Sequence, residues 1–236
     1  MIIIYKTTKC ILLKRILVNV KQKHTMSQNQ KARIPKQTRG IKSKEKIISA
    51  AMALFAEKGF HGTNASEIAA RAQVATGTFY SYFNNKKEVF IEIIKRIYKN
   101  IFEKVLLNFT SKMAKYQITN YKEGKKLTHF IVSQLVSEYK VNVNLLKEIM
   151  ALVMRDREIE NIRSKEEKKV VELLVLYMQA YKDYIRIRDF EAAAVLLLKF
   201  MEEMLHQIKF KSTDVEDKRL LKEIEDMICR YLLPDR

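Results

Sequence analysis

Turn-forming residues are scarce in this chain. Five glycines and two prolines in 236 residues are too few for a fold of many short strands, and favour long uninterrupted helices. The two cysteines, Cys10 and Cys229, stand near opposite ends. They match no metal or redox spacing, give no basis for a structural disulfide, and suit a reducing cytoplasm. There is no tryptophan. Long apolar runs are missing too. The N-terminal "MIIIYKTTKCILLKRILVNVKQKH" is broken by Lys6, Lys9, Lys14 and Arg15, so no run reaches the roughly 18 residues of a membrane span. Nor is there the uninterrupted apolar core or small-residue cleavage site of a signal peptide.

Acidic residues are nearly absent from the first fifth of the chain. Residues 1–46 hold thirteen Lys/Arg against one acid, Glu45, and carry two-thirds of the formal net charge of +18. A basic arm beside a near-neutral remainder points to a polyanionic partner. Residues 1–40 are therefore expected to form a basic, flexible arm. Met26 opens an ordinary polar start, "MSQNQKARIPKQTRG", so residues 1–25 are expected to lie upstream of the true start, with a weak amphipathic membrane helix as the second reading.

Metal and nucleophile chemistry finds little support. Glu203-x-x-His206 has the spacing of carboxylate di-iron bundles, but those need two such pairs and further glutamates, and only one is found here. A surface Glu–His pair is the simpler reading. His24, His61 and His129 have no ligand partners at metal spacing. No nucleophile–base arrangement and no glycine-rich phosphate loop is seen. Neither a cofactor nor an enzymatic activity is expected.

About 47% of the residues are apolar, enough for a buried core, and their spacing is helical throughout. The pattern turns helical at Ser43, with Ile47, Ala50, Ala51, Leu54 and Phe55 on one face. Gly59 supplies a left-handed stop, with Phe60 folding back on the last turn. "NASE", Asn64 to Glu67, has capping-box spacing and opens a helix to Arg71. A second short helix covers 76–83. "NNKKE" repeats the capping device with Asn85 and Glu88, and a long helix runs to about residue 108. Residues 109–123 are read partly as loop. Helices follow over 125–140, 143–155, 158–185, 190–210 and 215–233, with Asp189 and Asp214 as caps of the last two.

The stretch "EIAARAQVATGTFYSYFNNKKEVF", residues 67–90, carries the functional signal. Ile68, Ala69 and Ala72 form a small apolar face that lets two short helices cross closely. Val74, Phe79 and Phe83 turn the next helix inward, which leaves Thr76, Gly77, Thr78, Tyr80, Ser81 and Tyr82 outward. That is the arrangement of a helix-turn-helix, whose second helix enters the major groove. Hydroxyls there bond phosphate oxygens and base edges. Gly77 allows close approach of the backbone, and Lys86 is placed to meet a phosphate.

"IISAAMALFAEKGFHGTNASEIAARAQVATGTFYSYFNNKKEVF", Ile47 to Phe90, closely resembles the DNA-binding head of the TetR family of bacterial transcriptional repressors. The resemblance covers roughly residues 43–100. The positions matching that family's DNA contacts are Thr63, Asn64, Ser66, Thr76, Gly77, Thr78, Tyr80 and Tyr82, with Lys86 beyond. Two departures stand out. Gln73 occupies a turn position where the family carries glycine, and Ala75 replaces the serine that caps the third helix, a task Thr76 is placed to take over.

The resemblance implies an all-α protein in three parts. They are the arm, 1–40; a helix-turn-helix domain over 41–101, with the motif at 64–83; and a helical ligand-binding and dimerisation domain over 102–236. It implies a cytoplasmic homodimer joined through 190–210 and 215–233. Such a dimer binds a palindromic DNA operator and is released by a small-molecule effector, with no membrane involved. Met150, Met154, Tyr177, Met178 and Tyr181, with Phe200, Met201 and Met204, are candidates to line an effector cavity; residue by residue, an ordinary bundle core is the simpler reading. Two other classes stay open: a DNA-binding regulator without a ligand, and a helical-bundle metal enzyme.

Overall fold

A computed structural model describes residues 38–113 and 120–234, with the side chains of 40–100 and 120–234. The expected arm lies almost wholly outside the described residues, as do Cys10, His24 and Met26. All regular structure among the described residues is helical: α1 Thr38–Lys58, α2 Ala65–Arg71, α3 Thr76–Tyr82, α4 Lys86–Met113, α5 Tyr121–Glu138, α6 Val143–Arg155, α7 Arg157–Ala180, a single 3₁₀ turn Lys182–Tyr184, α8 Phe190–Phe210 and α9 Asp217–Leu232.

Most boundaries follow local chemistry. α1 ends at Gly59, which takes φ +73, the left-handed conformation open to a residue without Cβ. Asn120, Asn142 and Asp189 accept bonds from the first-turn amides of α5, α6 and α8. Several expectations need correction. α1 begins five residues before Ser43, and α5 begins at Tyr121 under the Asn120 cap. α7 stops at Ala180 and gives way to the 3₁₀ turn. Asp214 caps nothing: α9 starts at Asp217, with Glu216 before it and no side-chain cap.

The chain forms two compact units. Of the described residues, one comprises 38–100 and 140–167, the other 101–113, 120–139 and 168–234. In the former, a single core joins Ile47, Leu54 and Phe55 of α1, Ile68 of α2, Phe79 of α3 and Phe90 of α4 to Leu145, Ile149 and Ile159 of α6 and α7. Phe55, Phe60 and Phe90 pack with ring centroids 5.3–5.6 Å apart. Full burial of such a side chain contributes about 1.5–3 kcal/mol, which ties α1, the turn after it and α4 to one aromatic centre. The head expected over 41–101 thus shares its core with α6 and the start of α7. In the latter unit, Ile224 and Ile228 of α9 pack on Val132 of α5 and on Leu197, Phe200 and Met204 of α8. Met178 packs against Ala193 and Ala194.

Candidate nucleic-acid interface

α2 and α3 are each seven residues long, too short to hold a shape unaided. Packing and caps supply the order. Glu67 N–H donates to Asn64 Oδ1 at 2.9 Å and Asn64 N–H donates to Glu67 Oε2 at 3.2 Å, completing the expected capping box. Ile68 and Ala69 are fully buried, so α2 seats on α1 and α3 through small side chains. At the turn Gln73 takes φ +55, the left-handed conformation expected where the resemblance places glycine. α3 has Ala75 at its N-cap position and no side-chain cap; Thr76 does not assume that role. α3 is instead held from beneath, by Phe79 at 0% exposure and Phe83 at 5%.

What α3 turns outward is what the sequence pattern requires. Thr76, Gly77, Tyr80 and Ser81 are exposed and Thr78 is half-buried. Tyr80 is 54% exposed, and its ring packs edge-on against Phe79 at 5.3 Å, which orients it without hiding the hydroxyl. A Cβ built on Gly77 meets nothing within 4 Å. The space over Gly77 is therefore open, and the fold itself does not demand a glycine there. Ser66 is exposed on α2, and Asn64 is exposed with its Oδ1 engaged in the cap. Tyr82 is half-buried and packs on the head core, so only part of it faces out.

Two expected contact residues are engaged inside the protein. Thr63 is 1% exposed and its hydroxyl donates to Gly59 O at 2.9 Å, so the side chain is a structural tie and not a surface donor. The Lys86 ammonium donates to the carbonyls of Phe60 and Thr63, both at 2.7 Å. Burial pushes its pKa down, opposed by the nearby Glu67 carboxylate. The neighbouring Lys87 bonds Asp156 at 2.8 Å and Glu158 at 2.6 Å, and these bonds hold its pKa up. Sequence reasoning missed Glu148, whose carboxylate accepts the Phe60 N–H at 2.9 Å. An 88-residue separation leaves no local signal for such a bond.

The candidate effector residues are not gathered in one unit. Met150 and Met154 belong to the unit containing the head, whereas Tyr177, Met178 and Tyr181 belong to the other. Met154 is 87% exposed, which corrects its assignment to a cavity wall. Tyr177, Met178 and Tyr181 are buried. Burial raises the pKa of Tyr177 and pushes that of Tyr181 up to about 12, so both phenols stay neutral at physiological pH. Glu203 and His206 approach to 3.9 Å, and no group of three or more potential metal ligands occurs among the described residues. No described helix is long and apolar enough to cross a membrane.

Comparison with known proteins places this geometry. Residues 47–93 match the family described as bacterial regulatory proteins, tetR family. The chain is 33% identical over 134 residues to an HTH-type transcriptional regulator in the lacX 3' region of Lactococcus lactis subsp. lactis, covering 56% of this chain and 68% of that protein. It is 47% identical over 49 residues to the fatty acid metabolism regulator protein of Bacillus subtilis, but that match spans only a quarter of the relative's length: 21% of this chain and 25% of that one. Among solved structures, SmeT, the repressor of the Stenotrophomonas maltophilia multidrug efflux pump SmeDEF, superposes with a TM-score of 0.59 over 81% of this chain and 91% of that one, at 22% identity.

Proposed function

Because the chain belongs to the TetR family of bacterial regulatory proteins, we propose that it is a cytoplasmic, homodimeric transcriptional repressor that places α3 in the major groove of a palindromic operator. The observation that carries this reading is the division of α3. Phe79 and Phe83 are locked in the core, while Thr76, Gly77, Thr78 and Tyr80 lie on the other side. A buried anchor holds the polar face rigid, so its hydroxyls meet phosphates and base edges with little ordering cost. Asn64, Ser66 and the outward part of Tyr82 extend that face. The basic arm adds sequence-independent affinity through counterion release.

Dimerisation supplies specificity that one seven-residue helix lacks, because two copies read half-sites about 34 Å apart or a multiple of that. The exposed Val195, Leu196 and Met227 on α8 and α9 support a partner surface there, since large apolar side chains gain by leaving water. Release by a small molecule follows the family's way of working. By linkage, DNA weakens effector binding by the factor with which effector weakens DNA binding. A tenfold loss of operator affinity requires about 1.4 kcal/mol of preference for the released state.

Titration of the purified protein against operator and scrambled duplexes tests this reading. Tyr80→Ala is expected to lower operator affinity by about tenfold or more, the scale of one lost base-edge contact, with the melting curve unchanged. Deleting residues 1–40 is expected to weaken operator and random DNA alike and to flatten the salt dependence. Equal affinity of wild type for both duplexes would refute it.

A further inference from the structure

Lys86 opens α4 directly after α3, while Phe60–Thr63 directly precedes α2. One ammonium joins the two places. Its Nζ donates to Phe60 O and Thr63 O at 2.7 Å each and more weakly to His61 O at 3.4 Å, and it sits 4.6 Å from the centroid of the Phe60 ring. An ammonium has three N–H donors, and these carbonyls occupy them. The chain from Asn64 to Asn85, which is the whole helix-turn-helix, thus leaves from and returns to one charged atom.

A second charge holds the same turn. Glu148 of α6 accepts the Phe60 N–H at 2.9 Å, and its carboxylate lies 3.2 Å from where a Cβ on Gly59 would stand. Phe60 therefore has its N–H bonded to a carboxylate from α6 and its C=O bonded to an ammonium from α4, while its ring packs on Phe55 and Phe90. The Thr63 hydroxyl donates to Gly59 O. Buried main-chain polar groups must be paired. Here the pairing partners are side chains that reach across from two other helices, so they also fix where α2 begins.

We propose that Lys86 serves DNA binding as a positioning residue and not as a phosphate ligand, clamping Phe60 jointly with Glu148 so that α2 and α3 are presented at a fixed angle. This rests on reading α3 as the recognition helix. The lowered pKa of Lys86, caused by burial, agrees with an ammonium turned inward. Lys87 is tied to Asp156 and Glu158, so phosphate neutralisation falls to other cations, of which Lys42 and Lys46 are exposed on α1.

The test uses the full chain and an operator fragment recovered by selection from random duplexes, titrated over a salt series with K86M, E148A and E148Q. The clamp predicts that K86M and E148A each weaken operator binding by about fivefold or more without changing the slope of log affinity against log salt. E148Q keeps an acceptor for the Phe60 N–H and is expected to bind within about twofold of wild type. The double variant K86M/E148A is expected to lose less than the product of the single losses, because both act through one residue. A phosphate contact predicts the opposite: K86M flattens the salt slope by about 0.9, the share of one phosphate, and E148A binds like wild type. That result would overturn the proposal.

Amide hydrogen exchange over residues 60–64 decides the matter should K86M fail to fold. Faster exchange in E148A, but not in E148Q, supports the clamp; equal exchange in wild type and both variants overturns it. Failure of wild type to select any duplex would count against the DNA-binding reading alone, and the exchange measurement would still decide the clamp.

Discussion

Asn64 and Glu67 bond each other's main chain, the Glu67 amide to Asn64 Oδ1 at 2.9 Å and the Asn64 amide to Glu67 Oε2 at 3.2 Å. The pair satisfies two orphan amides of a helix only seven residues long. Asn64→Ala is expected to lower the unfolding free energy by about 1 kcal/mol, and Asn64→Ser to retain most of it. Urea denaturation of the three proteins checks this; equal midpoints would show that packing alone starts α2.

Gln73 stands in the left-handed region at φ +55. An L-residue there is strained by about 1 kcal/mol, partly offset in a glycine variant by the greater entropy of its unfolded chain. Gln73→Gly is therefore expected to be neutral or stabilising by up to about 1 kcal/mol. Gln73→Val, β-branched, is expected to be the least stable of the three. Thermal unfolding orders them.

Gly77 has open space around its missing Cβ. In the free protein, Gly77→Ala is expected to raise stability by up to about 1 kcal/mol, the difference in helix propensity. On DNA the added methyl stands where the backbone must approach, so operator affinity is expected to fall. Melting and binding measured on the same preparation test this pairing of opposite signs, which a purely structural glycine would not produce.

Glu45 is gripped by both terminal nitrogens of Arg96, at 2.5 and 2.8 Å. The Arg96 hydrogen bonds hold its carboxyl below the usual value of 4.5. A carboxylate with a depressed folded-state pKa contributes stability that is complete above its unfolded value and is lost as pH falls through its folded value. Unfolding free energy is expected to be flat from neutrality to about pH 5.5 and to fall below about pH 4.5, with a shallower fall in Arg96→Met. Denaturation across that range measures the slope directly.

The legible parts of this molecule are those encoded within a few residues. The Asn64 box, the Gly59 stop and the inward Phe79 and Phe83 depend on spacings of five residues or fewer and were readable in the sequence; the left-handed turn at Gln73 was implied only by the family resemblance. Contacts between distant segments were not. Lys86 is a basic residue at a helix start, which suggests a phosphate until the carbonyls of Phe60 and Thr63 are seen beside it. Thr63 carries a hydroxyl in a polar stretch, yet it points inward to Gly59. Glu148 belongs to a helix whose pattern marks it only as amphipathic, and nothing local ties it to Phe60. Met154 was misjudged for a related reason: an apolar residue near a helix end carries no sign of which side it faces once the helix stops at Arg155.

The central claim is that the outward side of α3, held by Phe79, reads one half of a symmetric duplex. Selection of binding sites from random duplexes by the intact protein at moderate salt tests it most directly. The account predicts enrichment of an inverted repeat, lost when Tyr80→Ala is used in place of wild type. Recovery of unrelated sequences, with affinity governed by duplex length and salt alone, would contradict it.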